Sequence, residues 1–228
     1  SRFVSMASHE FRTPLTTILS SVFLLENYKG EQLERESKKL LERIKRAVHN
    51  MTEILNEFLS SGKLDEGKMP VYLNIVNLSK FLEELKQEVF LLKKDNQQVE
   101  FSWCGEVGEV ITDSQILKNI LLNLISNAIK YSKSDGIIRV KANVMQKEFK
   151  ISVIDEGMGI PEEEQKFIFQ RFFRAHNVSG TQGTGLGLNI VRKYMKLLHG
   201  RIEFNSALNQ GTTFTVVFPS EVKEVVLK

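Results

Sequence analysis

The sequence predicts an α+β protein, in which an N-terminal helical hairpin forms a dimeric four-helix bundle and an α/β-sandwich domain follows. Apolar residues recur at intervals of three and four along the first part of the chain, as in amphipathic helices. A stretch rich in glycine, serine and charge ends that pattern at 60–70. Beyond it, strand patterns and amphipathic helices mix without strict alternation. This favours a mixed sheet covered on one face by helices.

We expect four segments, namely a hairpin at 1–61, a linker at 62–70, a second domain at 71–220 and a tail at 221–228. A chain of 228 residues is long enough for two small domains. The composition of the linker is typical of a flexible hinge, which would let the second domain move relative to the hairpin.

Charge and composition exclude several classes of function. The net charge of +3 is too small to indicate binding to nucleic acid or to a membrane surface. No apolar run approaches the roughly 20 residues that span a bilayer, and the single cysteine, Cys104, fits a reducing compartment. We therefore expect a cytoplasmic location without membrane contact by this segment. The helical pattern has already begun at Ser1, so we expect an upstream sensor part in the full-length protein. An inner-membrane anchor in that part is compatible with the sequence.

The first helix, predicted to end near Asn27, carries a histidine beside its apolar stripe. The ring of His9 is expected to reach solvent, with Thr13 one turn further along the same face. Glu10 can accept the proton of one ring nitrogen, which makes the other a better nucleophile. Pro14 predicts a kink beside the histidine. An exposed histidine on an ordinary amphipathic helix explains the same pattern. The stripe consists of Val4, Phe11, Leu15, Ile18, Val22 and Leu25.

The second helix carries more apolar surface than a two-helix hairpin can bury. Its heptad residues are Leu40, Ile44, Ala47, Met51, Ile54 and Phe58, flanked by a further column of Leu41, Val48 and Leu55. Such a broad stripe suits a four-helix bundle, and a second copy of the hairpin is the simplest way to complete one. We therefore predict a homodimer. The alternative is a monomeric hairpin folded back onto the downstream domain.

The second domain is predicted to contain short strands and amphipathic helices. The expected strands are 71–76, 99–103, 137–145, 149–154, 201–205 and 212–218. The expected helices are 78–93, 113–131, 164–173 and 186–198. Asp113 precedes the second of these helices and can cap its N-terminus.

One face of the helix at 113–131 is polar. Asn123, Asn127 and Lys130 lie at steps of four and three and therefore share that face. Amide oxygens suit Mg²⁺, which takes few protein ligands, and the lysine can neutralise phosphate charge. The pattern indicates a metal-bridged polyphosphate site, although a solvated helix face explains it as well.

A second motif follows the buried strand at 149–154. Asp155 ends the strand, where it can accept a hydrogen bond from the amino group of adenine. Gly157 and Gly159 allow the backbone to pass close to a flat ring. The alternative is a turn after an ordinary strand-end aspartate.

A glycine cluster opens the helix at 186–198. Gly183, Gly185 and Gly187 surround Leu186 at the helix start, where exposed backbone N–H groups and the helix dipole favour phosphate. The spacing fits neither the nucleoside-triphosphate P-loop nor the dinucleotide fingerprint.

The segment before this cluster is typical of a mobile lid. Residues 175–182 are polar and show no periodicity. Arg174 is the best candidate to reach the phosphates. Arg171 is less favoured and fits a surface charge.

Taken in order, these motifs resemble those of the sensor histidine kinases of two-component systems. The segment 8–15 (SHEFRTPL) resembles their phospho-acceptor box, and 123–131 resembles their N box. The first glycine box, the F box and the second glycine box are similar to 155–159, 169–173 and 183–187. The resemblance covers almost the whole chain.

The resemblance implies the Bergerat (GHKL) fold for the second domain and a dimerisation and histidine-phosphotransfer hairpin for 3–61. It implies ATP and Mg²⁺ as cofactors, phosphorylation of His9 with help from Glu10, and transfer to an aspartate of a response regulator. It also implies that Thr13 orients water to dephosphorylate that regulator. The implied cofactor residues are Asn123, Asn127, Lys130, Tyr131, Asp155, Gly157, Gly159, Arg174, Gly183, Gly185, Leu186 and Gly187, with Asn127 and Asn123 holding Mg²⁺.

Two other classes of function stay open at this point. A Bergerat ATPase would hydrolyse ATP without forming phosphohistidine. A catalytically silent dimeric scaffold would bind ATP without transferring phosphate.

Overall fold

The structure is a computed structural model that describes residues 2–94, 96–103, 108–145, 147–178, 181 and 183–219. For residues 2–6, 9 and 31–33 only the backbone is described. The predicted tail at 221–228 and Cys104 therefore lie outside the described residues.

Two long helices precede a compact mixed domain. The helices of the hairpin are α1 (Arg2–Asn27) and α2 (Glu31–Asp65). The helices of the second domain are α3 (Leu78–Phe90), α4 (Ser114–Tyr131) and α5 (Gly187–Leu197). Its strands are β1 (Asn74–Asn77), β2 (Gln98–Trp103), β3 (Glu109–Thr112), β4 (Ile137–Val144), β5 (Glu148–Asp155), β6 (Arg201–Ala207) and β7 (Gly211–Pro219).

The hairpin buries the predicted heptad column of α2. Leu40, Ala47 and Ile54 are almost fully buried, and the rings of Phe11 and Phe58 stack with centroids 6.2 Å apart. α1 continues as a helix through Pro14. Among the described helices, none is long and apolar enough to cross a membrane.

The start of the predicted linker is helical, which differs from the expectation. α2 continues through 60–65 and ends at Asp65, and Gly67 follows with φ of 64°. Phe58 and Leu64 pack against the core of the second domain. This packing favours the helix over the flexible conformation that Ser60, Ser61 and Gly62 predict, because tertiary contacts outweigh weak local preferences.

The second domain contains a five-stranded mixed sheet in the order β2-β4-β5-β7-β6. β2 and β4 are parallel, and the other neighbouring strands are antiparallel. Helices pack on one face of the sheet, where alternate residues of β5 are buried (Phe149, Ile151 and Val153). The predicted mixed sheet covered by helices is confirmed. The period of two places Asp155 on that same face.

A second, two-stranded sheet pairs β1 with β3 in antiparallel register. β3 was not predicted, and β1 begins at Asn74 rather than at 71. The Tyr72 N–H donates to Asp113 at 2.8 Å, so it is paired with a side chain before the ladder begins at Asn74. Asn77 ends β1 and caps α3 by accepting from the Lys80 N–H. Asp113 also caps α4 as predicted, because its Oδ1 accepts from the N–H groups of Gln115 and Ile116.

The predicted helix at 164–173 is wrong in type and extent. A short 3-10 helix spans Glu162–Phe167 only. Phe172, which lies in the predicted helix, has a φ of 62°, and this value is incompatible with a right-handed helix. The predicted helices at 113–131 and 186–198 and the last two strands agree with the structure within a few residues.

Candidate functional site

A cavity of about 510 Å³ opens between α4, α5 and the segment that joins β5 to α5, and α2 forms its remaining wall. It brings together most of the predicted cofactor residues. Those that line it are Asn123, Asn127, Lys130, Tyr131, Asp155, Gly159, Arg174, Gly183, Gly185 and Gly187. Gly157 and Leu186 do not line it.

Asp155 provides a buried carboxylate at one end of the cavity. Its side chain is 8 % exposed, and Oδ1 accepts from the Gly157 N–H at 2.8 Å. Burial raises the pKa of Asp155 to about 6, against the opposing effect of backbone hydrogen bonds from Gly157 and Thr212. The neighbouring walls are apolar and include Met158, Ile160, Ile168, Ile190 and Phe214. This end can hold a flat ring that donates a hydrogen bond.

The two glycines after Asp155 have structural tasks that the sequence interpretation did not separate. A Cβ on Gly157 would lie 2.6 Å from the Tyr131 carbonyl oxygen, so Gly157 lets the turn pack on the end of α4. Gly159 has φ of 64°, and a Cβ there would meet the Ala207 carbonyl oxygen. Gly157 therefore shapes the site from behind Asp155 and does not line the cavity, whereas Gly159 does.

The polar face of α4 points into the middle of the cavity. The Asn123 Nδ2 donates to the Asn119 carbonyl at 2.9 Å, which leaves Oδ1 towards the start of α5. Burial is the main cause that lowers the pKa of Lys130, and the charge of Arg174 acts in the same direction. Lys130 Nζ lies 5.2 Å from the centroid of the Tyr131 ring, and burial raises the pKa of Tyr131. Amide oxygens and an ammonium thus face one space.

The start of α5 forms the other end of the cavity. A Cβ built on Gly183 would lie 2.5 Å from Lys130 Nζ, so the lysine reaches this end. The Thr184 hydroxyl accepts from the Leu186 N–H at 3.1 Å. The Leu186 side chain is fully buried in the core and anchors the helix start there, so a role of Leu186 in cofactor binding would fall to its backbone.

Arg174 lies in the cavity and holds the lid segment. Its Nη2 donates to the carbonyl oxygens of Val178, at 2.9 Å, and Thr181. Asn177 also joins this segment to the turn after β5, because its Nδ2 donates to the Gly159 carbonyl at 2.9 Å. Arg171 instead forms an ion pair with Asp65 at the end of α2, and Lys193 contacts the same carboxylate.

The wall formed by α2 was missed by the sequence interpretation. Asn50, Glu53 and Glu57 line the cavity, and Glu57 accepts a hydrogen bond from the Thr184 hydroxyl. A heptad pattern separates buried from outward positions, but it does not show which outward residues meet a domain further along the chain.

The predicted catalytic residues lie on α1. The backbone of His9 is helical, and its side chain lies outside the described residues. Glu10 is buried, and its charge acts on Lys130 and on Glu57, two residues that line the cavity. Thr13 is exposed, and its carbonyl oxygen accepts from the Thr17 hydroxyl at 3.1 Å.

Two family models match the chain. Residues 1–67 match the His Kinase A (phospho-acceptor) domain, and residues 112–222 match the Histidine kinase-, DNA gyrase B-, and HSP90-like ATPase. Together they include every residue that the sequence assigned to catalysis or cofactor binding.

Several curated proteins are similar along almost the whole chain. Drug sensory protein A of Synechocystis sp. is 31% identical over 226 residues, which cover 94% of this chain and 34% of that protein. The signal transduction histidine-protein kinase ArlS of Staphylococcus aureus is 31% identical over 224 residues, or 95% of this chain and 48% of ArlS. The chain therefore spans only about a third to a half of these relatives.

Solved structures lead to the same family. The catalytic domain of histidine kinase ThkA is 30% identical with a TM-score of 0.55, and the match covers 67% of this chain and 97% of that one. Acinetobacter baumannii histidine kinase AdeS has a TM-score of 0.71 at 19% identity, covers 94% of this chain and 98% of its own, and supports the fold. The chain belongs to the sensor histidine kinases, and it contains their phospho-acceptor and ATP-binding domains.

Proposed function

We propose that this chain is the catalytic core of a sensor histidine kinase that uses Mg-ATP to phosphorylate His9. A single cavity supports this proposal, because it joins a buried carboxylate at one end to a lysine and a helix start at the other. The carboxylate of Asp155 suits the amino group of adenine. Lys130 and the start of α5 suit the phosphates.

The amide side chains of α4 fit a magnesium ion held between protein and phosphates. Asn127, together with Asn123, would supply neutral oxygen ligands, and the phosphates and water would complete the octahedral shell that Mg²⁺ prefers. Bound Mg²⁺ would neutralise phosphate charge and orient the terminal phosphate. Asn123 Oδ1 faces the start of α5, as such a role requires.

The transfer step itself needs a nucleophile and a base from α1. Glu10 would accept the proton from one nitrogen of His9 while the other nitrogen attacks the γ-phosphorus in line. A nitrogen–phosphorus bond forms, the bond to the bridging β-phosphate oxygen breaks, and ADP leaves. Catalysis of this type depends on positioning and on charge stabilisation. The burial of Glu10 beside the cavity supports this assignment.

We also propose that two copies of the chain form the four-helix bundle. Large apolar side chains on the hairpin remain exposed in the single chain, and they need a partner surface. They are Leu15, Leu19, Val22, Phe23, Leu41, Val48, Leu55 and Leu59. A self-complementary interface between two hairpins would cover both helices at once.

A response-regulator receiver domain is the proposed acceptor of the phosphoryl group. A solved complex of histidine kinase ThkA with response regulator protein TrrA resembles this chain with a TM-score of 0.67 at 21% identity, covering 97% of this chain and 62% of that one. We place the docking site on the hairpin near His9. The exposed hydroxyl of Thr13 is proposed to orient the water that later dephosphorylates the regulator. An upstream sensor domain would control both activities.

Phosphohistidine chemistry provides the direct test. Wild type and His9→Gln are incubated with Mg²⁺ and γ-labelled ATP, and the labelled protein is then treated with acid and with alkali. Label that is lost in acid, survives alkali and is absent from His9→Gln supports the proposal. ATP turnover without label would instead indicate an ATPase, and ATP binding without either would indicate a silent scaffold.

A further inference from the structure

One side chain of the hairpin reaches the phosphate end of the cavity. The face of α2 that meets the second domain carries Ile54, Phe58, Ser61 and Leu64, which are buried or packed against the core. Glu57 lies on the same face and lines the cavity together with Asn123 and Lys130. The docked hairpin therefore places a carboxylate inside the nucleotide site.

Glu57 places its carboxylate at the start of α5, where the proposed function expects a phosphate. Its Oε2 accepts a hydrogen bond from the Thr184 hydroxyl, which in turn accepts from the Leu186 N–H. Its Oε1 lies 3.9 Å from the position of a Cβ built on Gly187, the first residue of α5. The carboxylate thus occupies the N-terminal end of α5, where backbone N–H groups and the helix dipole favour an anion.

We infer that Glu57 competes with the terminal phosphates of the nucleotide, so that the contact between Glu57 and Thr184 and the binding of Mg-ATP are alternatives. This inference rests on the phosphate site of the proposed function. The single proton of the Thr184 hydroxyl can be donated to Glu57 or to a phosphate but not to both, and two neighbouring anions repel each other. Nucleotide binding would therefore displace Glu57 from Thr184, and the Glu57–Thr184 contact would weaken the binding of ATP.

The charges around Glu57 favour replacement of its contact with Thr184 by a phosphate. Burial raises the pKa of Glu57 and is the largest effect, with Glu53 and Glu10 acting in the same direction. The Thr184 hydrogen bond and Lys130 oppose them. A buried carboxylate among other acids gains less from its partners than a phosphate would, because the phosphate carries more charge and brings Mg²⁺ with it.

A second contact can keep the domains together when Glu57 leaves. Asp65 lies two turns beyond Glu57 on α2 and forms ion pairs with Arg171 and Lys193. These three residues are outside the cavity lining. Release of Glu57 can therefore occur as a rotation about the end of α2.

The inference is tested by titrating Mg²⁺ and a non-hydrolysable ATP analogue into the whole chain by calorimetry. Glu57→Gln retains the size of the side chain and removes its charge, so we expect it to bind the analogue about tenfold more tightly than wild type. That change corresponds to the loss of one charge-assisted hydrogen bond from the competing state. Glu42→Gln is the matched control, because it removes the same charge from an exposed position of α2 that does not line the cavity, and we expect less than about a twofold change.

The outcomes separate this inference from the proposed function. Equal affinity in wild type and Glu57→Gln, or an equal gain in Glu42→Gln, would overturn the competition. Weaker binding by Glu57→Gln would also overturn it and would indicate that Glu57 helps to hold the metal–nucleotide complex. No binding by any of the three proteins would overturn the nucleotide site itself. Glu57→Ala, with its fold checked by circular dichroism, repeats the comparison without a side-chain amide.

Discussion

The carboxylate of Asp155 accepts the N–H of Gly157 at 2.8 Å while it remains almost completely buried. The hydrogen bond fixes the orientation of the carboxylate at the cavity. Burial removes the carboxylate from water and thereby raises the pKa of Asp155 to about 6. A group with such a pKa links stability and ligand binding to pH in opposite ways.

Stability should fall as pH rises through the window set by Asp155. The pKa of Asp155 in the folded state, about 6, is above the ordinary aspartate value of 3.8, so the folded chain holds this proton where the unfolded chain has lost it. The free energy of unfolding therefore decreases between about pH 4 and pH 6, by about 3 kcal/mol from this group. In denaturant unfolding, the free energy of unfolding of Asp155→Asn should increase relative to that of wild type across that window. The reason is that only wild type has a buried carboxyl group that must ionise there. A constant difference from pH 4 to pH 7 would contradict this.

Nucleotide affinity should follow the opposite trend. Only the ionised Asp155 offers both oxygens as acceptors to the adenine amino group, so binding of Mg-ATP should weaken as pH falls below about 6. At pH 7.5, Asp155→Asn should lose at least about tenfold in affinity, because its amide N–H₂ opposes the adenine amino group. Calorimetry measures both effects. Glu203→Gln, on the exposed strand β6, is the control and should bind like wild type.

The ion pairs of Asp65 should matter more for the position of the domains than for their stability. Asp65, Arg171 and Lys193 are partly exposed, so Asp65→Asn should reduce the free energy of unfolding by less than about 1 kcal/mol. High salt should abolish the difference between variant and wild type. Unfolding measured at low and high salt tests this, and a loss that is large and independent of salt would show that the contact is structural.

An acidic residue on the exposed face of the hairpin should dissociate the proposed dimer. Leu55 is 49% exposed on α2, and Leu55→Glu would place charges against each other across a self-complementary interface. Light scattering coupled to size exclusion should show wild type as a dimer and Leu55→Glu as a monomer. Leu208→Glu is the matched control, because Leu208 is also 49% exposed but lies in the turn between β6 and β7. Equal masses for wild type and Leu55→Glu would contradict the prediction.

Local patterns were sufficient where a side chain acts on its own element. The capping role of Asp113 followed from its place before an amphipathic helix, and the buried column of α2 followed from heptad spacing. The shared face of Asn123, Asn127 and Lys130 followed from helical geometry alone. In each of these examples the residues that interact lie within a few positions of one another, so a short stretch of sequence is enough to predict the interaction.

The predictions were wrong where distant contacts decide the conformation. Ser60, Ser61 and Gly62 predict a linker, yet packing of Leu64 on the second domain continues α2 to Asp65. The strand β3 is too short to show alternation, and it forms because β1 pairs with it.

The sequence by itself determined the order of α1 to α5, the strands of the five-stranded mixed sheet and most of the motifs that line the cavity, because periodicity and motif spacing are local properties. Only the tertiary structure decided that Glu57 meets Thr184, that Arg171 meets Asp65 and that Gly157 stands behind Asp155. The first two contacts join residues more than a hundred positions apart, and the third depends on how closely a turn approaches α4. Such contacts follow from how two domains and their turns pack, which no window of sequence specifies.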